Sequence, residues 1–361
     1  MGQGNASQNA DFAARAGRYL IIGIDPEGTG ELAPILDLLG EVRPLGVILF
    51  ARNMPTADAL LSLNTALLEF DPELLLAIDH EGGRVHRLPE PFTRFPPAMT
   101  LVRAGDPGLI RDVARAQGSE LRAAGFHIDF APVLDVFTNP ENRVIGDRAF
   151  GTTPEEVIHN ALPSLQGLTE AGIIGCGKHF PGHGDTVADS HFELPRVDHS
   201  IERLRSLEFV PFARAISQGV PMIMTAHVLC PALDEEIPTS LSPVAVDGWL
   251  RGHLGFNGVV VSDDLEMRAI ADHFGIGDAA VRAVRAGSDI VLVCKTPAYV
   301  REAHGAIARA LETGEIDTER DRQSERHRQK LISRARKSGS LQVAREAIGA
   351  HSHRELASRF A

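Results

Sequence analysis

Histidine, aspartate and lysine side chains are concentrated in one short stretch, KHFPGHGDTVADSH at residues 178–191. Asp189 and His191 lie two residues apart there, and a carboxylate beside an imidazole is typical of a group that transfers protons near neutral pH. The same residue types also ligate metal ions, and the ligands in that alternative would be His179, His183, Asp185, Asp189 and His191. A third interpretation is that these side chains only hydrogen-bond a loop rich in glycine and proline.

Two adjacent carboxylates end an apolar run, GFNGVVVSDD at residues 255–264. Because successive side chains of a strand point to opposite faces, we expect one of Asp263 and Asp264 to face a pocket and the other to be hydrogen-bonded behind the strand. A carboxylate that faces a pocket can attack an electrophilic carbon as a nucleophile. The alternative is that the pair only caps the strand end.

Residues suited to binding oxygen-rich ligands follow another apolar run, in AIDHEGGRVHR at residues 77–87. Asp79 can accept two hydrogen bonds from hydroxyl groups, which suits a sugar, and Arg87 can donate two N–H groups to an oxygen ligand. The alternative for Arg84 and Arg87 is pairing at the surface with Glu81 or Glu90.

The elements that must position these residues are short aliphatic runs alternating with helical patterns. The eight candidate strands are Tyr19–Ile24, Gly46–Phe50, Leu74–Ile78, His127–Phe130, Ile173–Gly177, Met222–Thr225, Val259–Ser262 and Ile290–Val293. The predicted helices include Ala57–Phe70, Leu109–Ala124, Thr153–Ala171, Ser200–Gln218 and Asp278–Ala286. Eight alternating units without an obvious linker favour an α/β fold, a single (β/α)8 barrel, over a doubly wound sheet.

Polar and charged residues follow every predicted strand, where a barrel of this kind builds its active site. They are Asp25, Arg52, Asn53, Asp79, His80, Glu81, Asp135, Lys178, His179, His227, Asp263, Asp264 and Lys295, with Arg148 farther along the segment after the fourth strand. Together they predict an enzyme with a polar substrate.

Length and composition indicate an ordinary globular protein with a large core. The chain has 361 residues, of which 43% are hydrophobic and 23% charged. We predict an N-terminal segment at residues 1–18, a catalytic barrel at 19–312 and a charged helical tail at 313–361 that packs on the barrel.

The net charge of −12 disfavours nucleic acid and anionic membranes as partners, because both are bound mainly through lysine and arginine. No apolar run approaches the roughly 20 residues of a membrane span, and no secretory signal is recognisable at the start. Cys176, Cys230 and Cys294 are too sparse for a disulfide framework and are expected to be buried and reduced. We therefore expect a cytoplasmic monomer without a cofactor or a metal ion.

Four motifs together resemble glycoside hydrolase family 3, specifically the bacterial single-domain β-N-acetylhexosaminidases of cell-wall recycling. The motifs are AIDHEGGRVHR, FAPVLDV, KHFPGHGDTVADSH and GFNGVVVSDDLEM, and the resemblance extends from about Leu20 to Val293. The segment at 137–147 departs from it, being longer and more polar than expected of the simplest members.

The resemblance implies a retaining exo-β-N-acetylglucosaminidase that acts on N-acetylglucosaminides such as muropeptides. It implies that Asp263 is the nucleophile, which forms a covalent glycosyl-enzyme, and that His191 is the acid/base with Asp189 as its partner. The residues implied to hold or line the sugar are Asp79, Arg87, Arg148, Lys178, His179 and Met267.

Other activities remain open at this point. A phosphorylase or a β-glucosidase of the same family would use the same barrel, and so would a metal-dependent hydrolase. A sugar-binding protein without catalysis is a further alternative, which the filled catalytic positions disfavour.

Overall fold

The strands form a closed parallel barrel. The computed structural model describes residues 2–25, 27–186, 194–339 and 345–360, and side chains within these ranges except at 2–9 and 338–339. Its strands are β1 (Leu20–Gly23), β2 (Gly46–Leu49), β3 (Leu75–Ile78), β4 (Ile128–Asp129), β5 (Ile174–Phe180), β6 (Met222–Thr225), β7 (Val259–Asp264) and β8 (Ile290–Val293). They follow one another around the barrel in chain order, and β1 pairs with β8 to close it. The predicted barrel is confirmed.

The barrel strands are apolar because both of their faces are covered. All four residues of β1, β2, β3, β6 and β8 are buried. Two strands run farther than predicted, so that Lys178 and His179 are the fifth and sixth residues of β5, and Asp263 and Asp264 end β7. A strand holds a side chain more rigidly than a loop does, which suits residues that must meet one substrate.

Helices surround the barrel. They are α1 (Gly2–Gly17), α2 (Leu32–Val42), α3 (Ala57–Phe70), α4 (Ala98–Arg103), α5 (Pro107–Ala123), α6 (Pro154–Glu170), α7 (Ile201–Ser206), α8 (Phe209–Ser217), α9 (Arg268–Phe274), α10 (Ile276–Ala286), α11 (Pro297–Thr313), α12 (Thr318–Gly339) and α13 (His351–Ser358), and Val244–His253 forms a π-helix. The start of α6 follows the predicted pattern, with Thr153 Oγ1 accepting from the Glu156 amide at 3.2 Å. Among the described residues, none of the helices combines the length and the apolar character of a membrane span.

The helix α12 covers the end of the barrel at which the strands begin. Leu331, Ile332 and Ala335 of α12 are buried in the same apolar cluster as the side chains of the barrel interior. Tyr19, which precedes β1, donates its hydroxyl to Asp321 of α12 at 2.8 Å. A helix with this many charged residues is therefore also part of the core.

One buried carboxylate connects α12 to the barrel. Asp289, directly before β8, accepts from Arg251 Nη2 at 2.7 Å, Arg320 Nη2 at 2.5 Å and Ser324 Oγ at 2.9 Å. Burial disfavours its ionisation, but Arg251, the bond to His327 and Arg320 outweigh that effect and lower the pKa of Asp289 to about 2. Buried charges of this kind are stable only when they are paired. The division of the chain at residues 18 and 312 stays a prediction.

Candidate active site

A cavity of about 610 Å³ lies at the C-terminal ends of the strands, within the size range of ligand sites. The sequence-predicted residues that line it are Asp79, Arg87, Arg148, Lys178, His179, Asp263 and Met267. Asp189 and His191 fall at 187–193, outside the described residues. The structure thus brings seven of the nine predicted site residues to one pocket.

The two carboxylates at the end of β7 have different environments. Burial opposes ionisation of Asp263, but His227, His179, the Asp264 amide and Lys178 outweigh it and hold the pKa of Asp263 below its ordinary value. Asp263 is therefore ionised at neutral pH, as an attacking carboxylate must be.

Asp264 also borders the pocket, but its carboxylate accepts hydrogen bonds from neighbouring backbone amides. Its Oδ1 accepts from the Glu266 amide at 3.1 Å and from the Cys294 amide at 3.2 Å. Burial, with the charges of Glu266 and Asp263, raises the pKa of Asp264 to about 7. Asp264 is the less suitable of the two as a nucleophile.

His227, two residues after β6, hydrogen-bonds the backbone at the end of β7. Its Nε2–H donates to the carbonyl of Asp264 at 2.9 Å, and its Nδ1 contacts Ser240 Oγ at 2.7 Å. Because a carbonyl oxygen only accepts, Nε2 of His227 carries a proton. His227 thus fixes the backbone that carries both carboxylates.

Glu81 joins two cations in the pocket wall. Its Oε1 accepts from Arg148 Nη2 and from Lys178 Nζ, both at 2.7 Å, and its Oε2 accepts from Arg148 Nε at 2.7 Å. Lys178 Nζ also donates to Asp79 Oδ1 at 2.7 Å. These four side chains form one ion network in which Lys178 is only 2% exposed.

The network fixes the charges of Glu81 and Lys178. Burial favours neutral Glu81, but Arg148 and Lys178 outweigh it and hold the pKa of Glu81 far below its ordinary value. Burial also opposes the charge on Lys178, but Asp79 and Glu81 raise the pKa of Lys178 above its ordinary value. The wall therefore presents fixed charges to hydroxyl and amide groups of a ligand across the pH range of a cell.

Asp135 orients a pair of histidines. Its Oδ2 accepts from His179 Nδ1 at 2.7 Å, and its Oδ1 accepts from the backbone amides of His179 and His183 at 3.1 and 2.7 Å. Burial disfavours the Asp135 carboxylate, but His179 and His183 lower its pKa. Since an ionised Asp135 can only accept, Nδ1 of His179 carries a proton, and this bond fixes the orientation of a ring that lines the cavity.

Arginines occupy the outer part of the pocket. Arg84 binds Asp147 Oδ1 at 3.0 Å and donates to the carbonyls of Arg143, Val144 and Ile145 at 2.9, 2.6 and 3.1 Å. Asn142 fixes the same segment by donating to the His183 carbonyl at 2.7 Å. The exposed Arg143 side chain makes no hydrogen bond or ion pair to another described residue.

The alternative in which Glu81 pairs with Arg84 or Arg87 at the surface is wrong. Arg84 binds Asp147, while Glu81 is buried against Arg148 and Lys178. Arg87 lines the cavity, and its buried Nε has no hydrogen-bond partner among the described residues. The Arg87 side chain thus borders the space that a ligand would fill.

Two residues of this site were given no role from the sequence. Glu81 carried a signal, because residues 79 and 81 lie on the same side of an extended chain. Asp135 was identified from the sequence only as one of the polar residues that follow a predicted strand. Their roles depend on partners 67 and 44 residues away, which no local pattern reveals.

The metal interpretation finds no matching cluster in the part of the chain that the structure describes, where no three His, Cys, Asp or Glu side chains converge as ligands. His183 Nδ1 contacts Thr186 Oγ1 at 2.7 Å, and Asp185 contacts His199 Nε2 at 2.7 Å. Burial and the neighbouring His179 lower the pKa of His183 to about 4, so that its ring is neutral.

Comparison with known proteins identifies the family. The model for the glycosyl hydrolase family 3 N terminal domain matches residues 38–331. A beta-hexosaminidase of Methylococcus capsulatus is 42% identical over 270 residues, which are 74% of this chain and 79% of that protein.

Solved structures agree with this match. A glycoside hydrolase family 3 beta-N-acetylglucosaminidase from Paenibacillus sp. has a TM-score of 0.90 and 38% identity, covering 96% of this chain and 68% of that one. NagZ from Neisseria gonorrhoeae, solved in complex with N-trifluoroacetyl-D-glucosamine, has a TM-score of 0.72 and 31% identity, covering 88% of this chain and 98% of that one. With these matches, the barrel and its pocket of paired carboxylates and cations identify the chain as a glycoside hydrolase that belongs to glycosyl hydrolase family 3.

Proposed function

We propose that this chain is a retaining exo-β-N-acetylglucosaminidase that removes terminal β-linked N-acetylglucosamine from muropeptides or related glycosides. The observation that carries the proposal is an ionised Asp263 at the edge of a sugar-sized pocket lined by Asp79, Arg148, Lys178 and His179. A carboxylate so placed suits attack on an anomeric carbon.

In the first step, a carboxylate oxygen of Asp263 bonds to the anomeric carbon while the bond from that carbon to the leaving oxygen breaks. His191 gives a proton to the leaving oxygen, and the aglycone departs as an alcohol. Asp189 would orient the imidazole and stabilise its charged form. His191 and Asp189 lie outside the described residues, so their roles rest on the motif.

In the second step, water attacks the anomeric carbon and the bond to Asp263 breaks. The neutral His191 takes the proton of the water, so each cycle restores the starting protonation of the enzyme. Inversion at each of the two steps gives net retention.

The remaining pocket residues would hold the sugar. Asp79 offers carboxylate oxygens to hydroxyl groups, and His179, whose ring is oriented by Asp135, can hydrogen-bond a polar group of the sugar. Arg87 lines the cavity and can donate N–H groups to a sugar oxygen, and Met267 provides an apolar surface.

A negatively charged aglycone fits the outer part of the pocket. Arg143 is exposed there on a segment fixed by Asn142 and Arg84, and its side chain has no partner among the described residues. Muropeptides carry carboxylates on their peptides, and guanidinium groups bind carboxylates strongly. This supports muropeptides over uncharged glycosides.

We also propose that the protein is a cytoplasmic monomer that needs neither a cofactor nor a metal ion and binds neither nucleic acid nor membranes. The free, buried state of Cys176, Cys230 and Cys294 suits a reducing compartment, and the net charge of −12 repels polyanions.

Turnover of aryl β-N-acetylglucosaminide beside aryl β-glucoside tests the activity. We expect the N-acetyl sugar to be hydrolysed in phosphate-free buffer, at an unchanged rate after dialysis against a chelator. Turnover that appears only with added phosphate would make the enzyme a phosphorylase. Preference for the glucoside would contradict the proposal and indicate a β-glucosidase. Activity that is lost on chelation and restored by a divalent ion would contradict it and indicate a metal-dependent hydrolase.

Replacing Asp263 by asparagine removes the proposed nucleophile without changing its shape. We expect kcat on the aryl N-acetylglucosaminide to fall by about 10⁴-fold or more, with the melting temperature nearly unchanged. The matched control is Asp264→Asn, which keeps an oxygen acceptor for the Cys294 and Glu266 amides and should retain activity within about tenfold. Loss of activity in the control alone would assign the nucleophile to Asp264.

Replacing His191 by alanine removes the proposed general acid, so the loss depends on the leaving group. We expect kcat to fall by about 10²- to 10⁴-fold on a disaccharide, whose leaving oxygen needs a proton, and much less for the first step on a nitrophenyl glycoside. Glycosyl-enzyme formation is followed as the burst of nitrophenol. Equal losses of the first-step rate on both substrates would rule out the acid role.

Replacing Arg143 by glutamine tests the preference for an anionic aglycone. We expect kcat/KM on a carboxylate-bearing muropeptide to fall by about tenfold, the size of one exposed charged contact, and kcat/KM on the uncharged aryl glycoside to stay unchanged. Arg322→Gln, an exposed arginine of α12 at the opposite barrel end, is the matched control and should change neither value. A parallel loss on both substrates would show that Arg143 does not read the aglycone charge.

A further inference from the structure

A small internal cavity lies behind the ion network of the pocket wall. Its volume of about 20 Å³ is enough for one water molecule. Glu81 and Arg148 line it from the substrate side, and Asp129 of β4 and Gln117 of α5 line it as well. The cavity thus adjoins the sugar-binding residues without being part of the substrate pocket.

Two residues that line this cavity each have a buried polar atom without a hydrogen-bond partner among the described residues. Asp129 is 1% exposed and Gln117 is 8% exposed. Asp129 Oδ2 and Gln117 Nε2 have no hydrogen-bond partner among the described residues. Leaving such atoms unsatisfied is unfavourable, so unpaired polar atoms of residues that line one cavity point to a bound water.

The other oxygen of Asp129 is bonded to the chain segment that carries the sugar site. Asp129 Oδ1 accepts from the backbone amide of His80 at 2.9 Å. His80 lies between Asp79 and Glu81, which both bind Lys178. A shift of the His80 amide would therefore move both carboxylates of the ion network.

The surroundings of Asp129 favour its neutral form. Burial raises the pKa of Asp129 well above its ordinary value; the His80 amide and Lys178 oppose this effect, and the charges of Asp79 and Glu81 add to it. His80 adds no charge, since burial holds its own pKa well below the ordinary value. A neutral carboxyl group has an O–H to donate from the oxygen that has no protein partner.

We propose that Asp129 is a positioning residue of the sugar site, acting as a neutral carboxyl group that one buried water joins to Gln117. The water accepts from the carboxyl O–H of Asp129 and from Gln117 Nε2–H, and it donates to the ionised carboxylate of Glu81, which borders the same cavity. Asp129 thus fixes the Asp79–Glu81 segment from behind. The inference rests on the proposed function, in which that segment holds the sugar.

Steady-state kinetics on aryl β-N-acetylglucosaminide separate this role from a general structural one. Asparagine keeps an oxygen for the His80 amide and supplies an N–H donor in place of the carboxyl O–H, so Asp129→Asn should keep KM and kcat within about threefold of wild type. Asp129→Ala removes both groups, and we expect it to raise KM at least about tenfold while kcat changes less than about threefold.

Two further variants test the water and the specificity of the effect. Gln117→Leu removes one donor to the water and should raise KM in the same direction, by a smaller factor than Asp129→Ala. Ser164→Ala changes another residue on the same cavity wall and is the matched control, with no change in KM expected. A KM for Asp129→Asn as high as that of Asp129→Ala, or a normal KM for Asp129→Ala, would overturn the inference.

A readout independent of activity keeps the inference separate from the proposed function. A carboxyl group whose pKa is raised in the folded state stabilises the fold at low pH, and that stability is lost as the pH rises above about 4, where the unfolded chain ionises. Asparagine has no such dependence. The melting temperature of Asp129→Asn should therefore rise relative to wild type between pH 5 and pH 8.

A constant difference in melting temperature over that range would show that Asp129 is ionised in the fold, which contradicts the proposal. This comparison needs only folded wild type and the conservative Asp129→Asn variant. Failure of the enzyme to hydrolyse N-acetylglucosaminides would refute the proposed function while leaving this result valid.

Discussion

The substrate pocket depends on the ion pairs that the carboxylate of Glu81 makes with Arg148 and Lys178. This carboxylate holds Arg148 and Lys178 at 2.7 Å in a wall where Lys178 is almost without contact to water. Charges removed from water cost several kcal/mol each unless they are paired, so Glu81 stabilises both cations in this wall. Because Lys178 also binds Asp79, one carboxylate sets the position of three side chains that face the cavity. The pocket is thus organised before a ligand arrives, and little reorganisation is left for the moment of binding.

The same physical device recurs at the opposite end of the barrel. Asp289 there gathers Arg251, Arg320 and His327, and the apolar interior lies between these two buried clusters of charge. The charged cluster at the C-terminal ends of the strands borders a cavity. The cluster around Asp289, at the other end, is covered by α12. The two ends therefore differ in accessibility more than in chemistry. The two ends differ in accessibility because the chain after β8 places α12 over only one of them.

The sequence predicts the parts of this structure that are local. Aliphatic runs predict the strands, and the barrel rule then places Asp79, Lys178, His179 and Asp263 at one rim. The part that it does not predict is pairing over long distances, such as Glu81 with Arg148 and Asp135 with His179. The position of α12 could not be predicted for the same reason. Its sequence has three apolar residues among many charged ones, a pattern that indicates an exposed helix. Only the structure shows that its charged residues pair with the buried Asp289. For Asp189 and His191, the motif remains the basis of the assignment.

The helix that covers the strand ends also bears on how the chain folds as it is made. Asp289 and β8 leave the ribosome well before Arg320 and His327, the residues of α12 that neutralise the buried carboxylate. Until those residues emerge, closing the barrel would enclose an undercompensated charge, although all eight strands already exist. Completion of the barrel is therefore coupled to synthesis of a segment that carries no residue of the active site. The substrate pocket is complete only once α12 has been made.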